Sequence, residues 1–141
     1  MEAPQDFLEQ LRAINRSGPF NQWSGFEVTQ AGRGTAELQM PWRPEAGQYS
    51  GFLHAGVVGA LIDTACGFAA VTMVGRVLAS HFSVNFLRPA VGERFIARAR
   101  VMKPGRVQVF TACELFAVAD GGETLVATGE AILVPVAESR A

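Results

Sequence analysis

The most prominent feature of the hydrophobic pattern is an almost uninterrupted apolar stretch from Ala55 to Val74. Its apolar residues cover every side of a helix, which is typical of a helix enclosed by other elements. About 20 such residues could also span a bilayer, but Asp63 near the middle of the stretch would cost about 3 kcal/mol there. The pattern therefore predicts a buried central helix that carries one carboxylate.

The chain before this stretch is predicted to form one short helix and two strands. Four apolar residues recur at helical spacing near the start: Phe7, Leu8, Leu11 and Ile14. Gly18-Pro19 ends this helix. A weak strand signal covers residues 23–29, and a clear alternation of apolar and polar residues predicts a strand over residues 35–40. Residues 41–53 contain two prolines and two glycines and are predicted to form a loop.

After Gly75 the alternation of apolar and polar residues predicts only strands. They cover residues 82–86, 95–101, 107–115 and 124–134, and Asp120-Gly121-Gly122 is a hairpin signal before the last of them. The order of elements is that of an α+β fold, in which one antiparallel sheet covers the long helix. A sheet covers only one side of a helix, and this helix is apolar on every side. We therefore expect a second subunit to cover the side that the sheet leaves exposed.

Composition and charge exclude several classes of function. The 141 residues contain no repeat or linker, so residues 1–141 are predicted to form a single domain. The net charge of −1 argues against nucleic-acid binding, and the acid in the apolar stretch argues against a membrane partner. The first residues resemble no signal peptide, so we expect a cytoplasmic protein with reduced Cys66 and Cys113. No group of residues has metal-ligand spacing.

Asp63 is the strongest candidate for a functional residue. An ionised carboxylate taken out of water without partners costs several kcal/mol or is neutralised. Carboxylates in such surroundings cluster at functional sites. We therefore expect Asp63 to be functional rather than a structural acid satisfied by local hydrogen bonds. Cys66 lies three residues further on, but nothing near it in the sequence would lower its pKa, so we expect a small core residue.

Three strings of residues resemble the hotdog-fold acyl-CoA thioesterases of the PaaI type, in the 4-hydroxybenzoyl-CoA thioesterase superfamily. They are Gly51-Phe52-Leu53-His54-Ala55-Gly56, Leu61-Ile62-Asp63 and Gly67-Phe68-Ala69-Ala70. The family pattern is His-Gly-Gly with an acid nine residues after the His, and here Ala55 takes the middle position. Residues 83–90, followed by Gly92-Glu93, are similar to the family's third strand and the turn after it. The resemblance implies hydrolysis of an acyl-CoA thioester, with no cofactor besides the coenzyme A of the substrate.

The resemblance also assigns roles near the start of the long helix. Thioester hydrolysis needs a stabilised oxyanion and an activated water or nucleophile. Backbone N–H groups at a helix start are unpaired and carry the positive end of the helix dipole. Ala55 and Gly56 lie at that start, and the Ala55 N–H matches the family's oxyanion donor. Gln48 matches a Gln or Asn that orients the carbonyl or the water, although a solvated loop residue is an equal alternative.

The spacing of Asp63 from Ala55 predicts the subunit arrangement. The two residues are eight positions apart, which is about 12 Å of helix. Asp63 therefore cannot act at the start of its own helix, and an antiparallel helix of a partner resolves this. We expect an obligate homodimer with two composite sites, with a dimer of dimers left open. Asp63 would act as general base for water or as nucleophile, and the sequence does not choose between these roles.

The remaining candidates have weaker signals. His54 is expected to be a structural residue at the helix start, although a His keeps a hotdog enoyl-CoA hydratase or dehydratase as an alternative. Gly67 lies one turn after Asp63, where some relatives place a hydroxyl that holds the water, and Ser80 could supply that hydroxyl here. Three basic residues at strand ends are candidates for the coenzyme A phosphates, with Arg88 favoured: Arg88, Lys103 and Arg106. A non-catalytic acyl-CoA binder or sensor is the other alternative.

Overall fold

The computed structural model describes residues 6–137, which form three helices, one short 3-10 helix and six strands. In chain order they are α1 Phe7–Ser17, α2 Pro19–Ser24, β1 Glu27–Gly32, β2 Thr35–Pro41, the 3-10 helix Pro44–Ala46, α3 Ala55–Val74, β3 Val77–Phe86, β4 Arg94–Lys103, β5 Val109–Ala119 and β6 Gly122–Pro135. The long helix and the four strands that follow it confirm the order of elements expected from the hydrophobic pattern.

All six strands form one antiparallel sheet in the order β1-β2-β4-β5-β6-β3. The sheet packs against α3, which contacts every strand. The core lies between the helix and the concave face of the sheet, with Leu38, Phe95 and Leu115 from three strands fully buried. This is the α+β plan in which a sheet wraps a central helix.

Helix α3 is positioned by its two ends and by the close approach of β6. His54 is its N-cap residue, and Gly75, with φ of 79°, ends it. Leu61 and Ile62 are fully buried beneath the helix. Strand β6 can lie this close because Gly129 has no side chain: a Cβ there would be 2.6 Å from Cγ2 of Ile62. The helix is long and apolar enough to cross a membrane, but 61% of that window is buried in the core.

Residues 23–29 differ from the strand that the sequence predicts, because strand β1 begins only at Glu27. The preceding residues form helix α2, which starts with Pro19 at its first turn and ends at Gly25 in the left-handed conformation, φ 78°. The Ser24 hydroxyl donates to the Phe20 carbonyl 2.7 Å away. Proline in the first turn and a left-handed glycine after the last turn are helix signals, and these outweigh a weak alternation of apolar residues.

Helix α1 is fixed to the outer edge of the sheet through β1. The buried Asn15 side chain donates to the Phe26 carbonyl at 2.8 Å, and Arg12 donates to the Val28 carbonyl at 3.1 Å. Leu11 is fully buried beneath the helix. These contacts hold α1 beside the start of the sheet and leave its other face, which includes Ile14, directed away from β1.

Candidate active site

One cavity beside the central helix contains Asp63. It has a volume of about 780 Å³ and lies between α1, the middle of α3 and the first residues of β3. Asp63, Thr64, Gly67 and Val71 line it from α3, and Ile14 lines it from α1. The structure therefore places Asp63 on the part of α3 that the sheet leaves uncovered.

The Asp63 side chain is half-buried and accepts no hydrogen bond from residues 6–137. Burial raises the pKa of its carboxyl above the usual 3.8, because desolvation disfavours the charged form. A carboxylate that is not engaged in a salt bridge or hydrogen bond is free to take a proton from water. This is the environment expected of a general base rather than of a structural acid.

A second cavity, of about 520 Å³, lies at the start of α3. It brings together four of the residues singled out in the sequence, with Phe86 and Leu87 at the end of β3: Gln48, His54, Ala55 and Arg88. Residues 41–53 form the loop beside it, pinned by a bridge between Gly47 and Leu53. These four residues and Asp63 with Gly67 thus lie at two separate cavities along the same helix.

Of the first two N–H groups of α3, that of Gly56 is engaged and that of Ala55 is available. His54 accepts a hydrogen bond from the Gly56 N–H at its Nδ1 atom, 2.8 Å away. The Gly56 N–H is therefore not available to a substrate in this arrangement. The Ala55 N–H has no acceptor within the described part of the chain, and Ala55 is exposed at the cavity. An unpaired N–H at the positive end of a helix dipole suits an oxyanion.

The Gln48 side chain is oriented by its own loop. Its Oε1 atom accepts from the Ser50 N–H and, at 3.5 Å, from the Phe52 N–H. Its backbone N–H donates to the Phe52 carbonyl at 2.8 Å. With Oε1 held by the loop, the Nε2 group has no acceptor among the residues described. Gln48 therefore presents a hydrogen-bond donor to the same cavity as Ala55.

The basic candidates are separated by the fold. Arg88 lines the cavity at the start of α3, and its guanidinium donates to the Leu125 carbonyl at 2.8 Å. Arg106 lies at the other end of the helix, beside Val74. Lys103 ends β4 near Arg106, and both are exposed. The length of α3, about 30 Å, separates these two from Arg88 within one protomer.

Ser80 does not lie at the Asp63 cavity. Its hydroxyl donates to the Ile132 carbonyl at 3.3 Å, within an irregular pairing between β3 and β6. The neighbouring residue Ala79 lines the cavity instead. Gly67 does line it, one turn after Asp63, and a Cβ at Gly67 would meet nothing within 4 Å.

A family model described as the Thioesterase superfamily matches residues 50–126, which include Ala55, Asp63 and Arg88. The chain belongs to the thioesterase superfamily. The match spans the helix start, the whole of α3, the strands β3 to β5 and the first part of β6. Membership of this superfamily identifies the chain as a hydrolase of the thioester-cleaving kind.

Known relatives agree with this assignment. A thioesterase family protein from Silicibacter pomeroyi is 38% identical with a TM-score of 0.88, over 92% of this chain and 97% of that one. A predicted esterase of Saccharolobus solfataricus is 25% identical over 123 residues, 86% of each chain. The PaaI protein of the E. coli phenylacetic acid degradation operon, with TM-score 0.82 over 94% and 97% of the chains, is 19% identical and supports the fold alone. These likenesses confirm the hotdog fold and the resemblance to the hotdog-fold thioesterases.

Sequence reasoning missed two features of this thioesterase-superfamily chain. One is the contribution of α1: Gln10, Ile14 and Ser17 share a wall of the Asp63 cavity although they are far from Asp63 in the sequence. Their helical spacing is visible in the sequence, but their position opposite α3 is not. The other is the contact between Cys66 and Cys113 in the core.

The buried thiols of Cys66 and Cys113 lie in contact, which corrects the expectation that nothing near Cys66 lowers its pKa. Pairing with the Cys113 side chain lowers the pKa of Cys66, and the same pairing, together with burial, raises the pKa of Cys113. Both residues are almost fully buried between α3 and β5. Their position in the core still suits small packing residues.

Proposed function

We propose that this chain is an acyl-CoA thioesterase whose active sites form between two copies of the protein. The observation that carries the proposal is the division of the machinery between two cavities of one protomer. Asp63 lies in one, and the free Ala55 N–H lies in the other. The two residues are eight positions apart, which corresponds to about 12 Å along α3 and is too far for both groups to act on one carbonyl.

An antiparallel partner helix would bring the two halves together. The face of α3 that the sheet leaves uncovered carries Gly56, Ala60, Asp63, Gly67 and Val71 at helical spacing, and none of these is fully buried. The small residues Gly56 and Ala60 of this face let two helices approach closely. Laid antiparallel, two such faces would place Asp63 of each copy beside Ala55 and Gln48 of the other. The result is a two-fold symmetric homodimer with two equivalent sites.

The reaction at such a site balances with water as the only co-substrate. Asp63 takes a proton from water as the water oxygen attacks the thioester carbonyl carbon. The Ala55 N–H, with Nε2 of Gln48, stabilises the negative charge on the carbonyl oxygen. The carbon–sulfur bond then breaks, Asp63 returns the proton to the departing coenzyme A thiolate, and the free acid remains. The geometry equally permits direct attack by the Asp63 carboxylate, with water cleaving the resulting anhydride.

Coenzyme A would enter beside the start of α3. Arg88 is the basic residue at that cavity, and a guanidinium pairs with phosphate through two N–H groups. Tyr49, which is fully exposed in the same cavity, offers an aromatic face for the adenine ring. Lys103 and Arg106 lie at the opposite end of α3 within one copy. An antiparallel partner helix would bring that end back toward the start of α3, so both stay candidates for the coenzyme A phosphates.

A pair of variants tests the composite site. Asp63→Asn removes the base, and Ala55→Pro removes only the N–H, because proline suits the first helical position. His54 already has ψ of 137°, the conformation favoured before proline. Each variant alone should lose at least 100-fold in kcat/KM for its best acyl-CoA. The two variants are then co-expressed with different affinity tags, and the mixed dimers are purified through both tags. These mixed dimers should recover about half of the wild-type activity, because one of their two sites is intact.

Recovery in the mixed dimer requires that the two residues act from different chains. If mixed dimers stay as inactive as the parents, the composite site is wrong. If wild type hydrolyses no acyl-CoA in a panel of acetyl-, hexanoyl-, palmitoyl- and benzoyl-CoA, the acyl-CoA thioesterase proposal is wrong. Crotonyl-CoA hydration, followed in the same panel, distinguishes the hydratase alternative, and binding without turnover distinguishes the acyl-CoA binder.

A further inference from the structure

The Asp63 cavity has a second wall that the proposed chemistry does not use. Gln10, Ile14 and Ser17 lie at positions i, i+4 and i+7 of α1, on one face of the helix. Across the cavity, α3 presents Asp63 and, one turn on, Gly67. Helix α1 lies outside residues 50–126, so the family match says nothing about what this wall does.

Gly67 is a glycine that the packing of the protomer does not require. Glycine in the middle of a helix costs about 0.5–1 kcal/mol relative to alanine. Elsewhere in the core a glycine is needed, as at Gly129, where a Cβ would overlap Ile62. At Gly67 a Cβ would meet nothing within 4 Å, and it would project into the cavity beside Asp63. The missing side chain leaves room for something that binds there.

Most residues that line the cavity are apolar or glycine, and the polar ones besides Asp63 are Gln10, Ser17, Thr64 and Arg76. Ile14 remains 40% exposed although it is apolar, and it faces the cavity. The other apolar lining residues come from α3 and the sheet: Phe68, Val71, Val77, Leu78 and Leu133. An exposed apolar lining next to a reactive carboxylate fits the hydrocarbon part of a ligand.

We propose that the acyl group of the substrate lies between α1 and α3, that Gly67 leaves room for it beside the thioester, and that Ile14 limits its size. This inference rests on the proposed function. The thioester carbonyl carbon must lie about 3–3.5 Å from the attacking oxygen. That oxygen belongs either to Asp63 or to a water molecule beside Asp63. Coenzyme A extends from there toward Arg88 of the partner copy. The acyl group therefore points the other way, into the cavity that α1 closes.

The test measures kcat/KM against acyl size in the full-length chain. Acetyl-, hexanoyl-, decanoyl-, palmitoyl- and benzoyl-CoA are assayed with wild type, Ile14→Trp and Ile14→Ala. Ile14→Trp should lower kcat/KM at least tenfold for the acyl groups preferred by wild type, while acetyl-CoA changes less than about threefold. Ile14→Ala should move the optimum to larger acyl groups. The control is Ala13→Trp, on the neighbouring exposed position that does not line the cavity, and its profile should match wild type.

Gly67→Ala provides a second measurement that separates substrate from partner. If the acyl group fills this space, the Tm of the variant should equal or exceed that of wild type, while kcat/KM for benzoyl- and decanoyl-CoA falls more than for acetyl-CoA. A lower Tm together with a loss of self-association would mean that the partner helix fills the space, which overturns the role of Gly67.

The outcomes distinguish this inference from the proposed function. Equal changes for every acyl group in the Ile14 variants, or the same shift in Ala13→Trp, would overturn the size-limiting role while leaving the thioesterase proposal intact. A wild-type chain that hydrolyses no acyl-CoA overturns both.

Discussion

Asp63 is less stable in its ionised form in the folded protomer than in water, because burial raises the pKa of its carboxyl above 3.8. The folded state then binds this proton more tightly than the unfolded state does. Below about pH 3.8 the protonated group makes its full contribution to the free energy of unfolding. That contribution is lost as the pH rises through the pKa of Asp63 in the folded state. At neutral pH the ionised side chain therefore lowers the free energy of unfolding.

Replacing Asp63 by Asn should separate stability from activity. The neutral amide removes the cost of a buried charge, so the Tm of Asp63→Asn at pH 7 should equal or exceed that of wild type. Loss of the base should lower kcat/KM at least 100-fold. In wild type, kcat/KM should fall with decreasing pH through a midpoint above the usual Asp range. Glu130→Gln, on an exposed residue of β6, is the control and should change neither quantity. If the Asp63→Asn protein were destabilised but still active, Asp63 would be a structural residue and not the catalytic base.

At the scale of elements, the packing of α3 onto the sheet depends on one glycine in β6. A Cβ at Gly129 would lie 2.6 Å from Cγ2 of Ile62 and 2.9 Å from the Ser83 carbonyl oxygen. Neither neighbour can yield easily, because Ile62 is fully buried and the Ser83 oxygen belongs to the paired backbone of β3. The helix and the sheet can reach their observed separation only with glycine at this position.

Gly129→Ala should therefore lower the free energy of unfolding by about 1–3 kcal/mol, the usual cost of overpacking a core. Urea unfolding followed by circular dichroism measures it. Gly122→Ala is the matched control in the same strand, because its Cβ would meet its nearest atom only at 3.8 Å, and its change should stay within about 0.5 kcal/mol. Equal stabilities of the two variants would contradict the close approach of α3 and β6.

At the scale of the whole molecule, β3 is an edge strand that pairs only with β6 within residues 6–137. Eight of its ten residues are exposed, including Phe82 and Phe86. Long exposed edges with apolar side chains favour pairing with another chain. The same edge borders both cavities, at Leu78 and at Phe86. Self-association through this side of the molecule would complete the active sites and cover the edge together.

Light scattering should accordingly give a mass of at least twice the 15.1 kDa of one chain. Phe82→Glu places a charge on the edge strand. We expect this variant to be a folded monomer that no longer hydrolyses acyl-CoA. Val107→Glu is the control, an exposed apolar position in the turn between β4 and β5, and it should keep the wild-type mass and activity. A fully active monomer would contradict the dimer and the composite site.

The sequence was sufficient for features that depend on neighbours along the chain. The apolar stretch predicted α3 with its observed bounds, and the alternation after Gly75 predicted the strands β3 to β6. The hairpin signal at Asp120-Gly121 corresponds to two residues with positive φ, 53° and 77°. The strand predicted over residues 23–29 was wrong in its first part, because the alternation of apolar and polar residues there is weak. The helix signals at the two ends of α2 prevailed.

What the sequence by itself determined is the fold class, the acid on the central helix and the distance between Asp63 and Ala55, because helical spacing and strand alternation are local properties. Only the tertiary structure decided that Ile14 faces Asp63, that Ser80 lies outside its cavity, that Arg106 is remote from Arg88, and that Cys66 meets Cys113. The physical reason is that these neighbours depend on the register of the sheet and on where α1 packs, and both are set by contacts between distant segments.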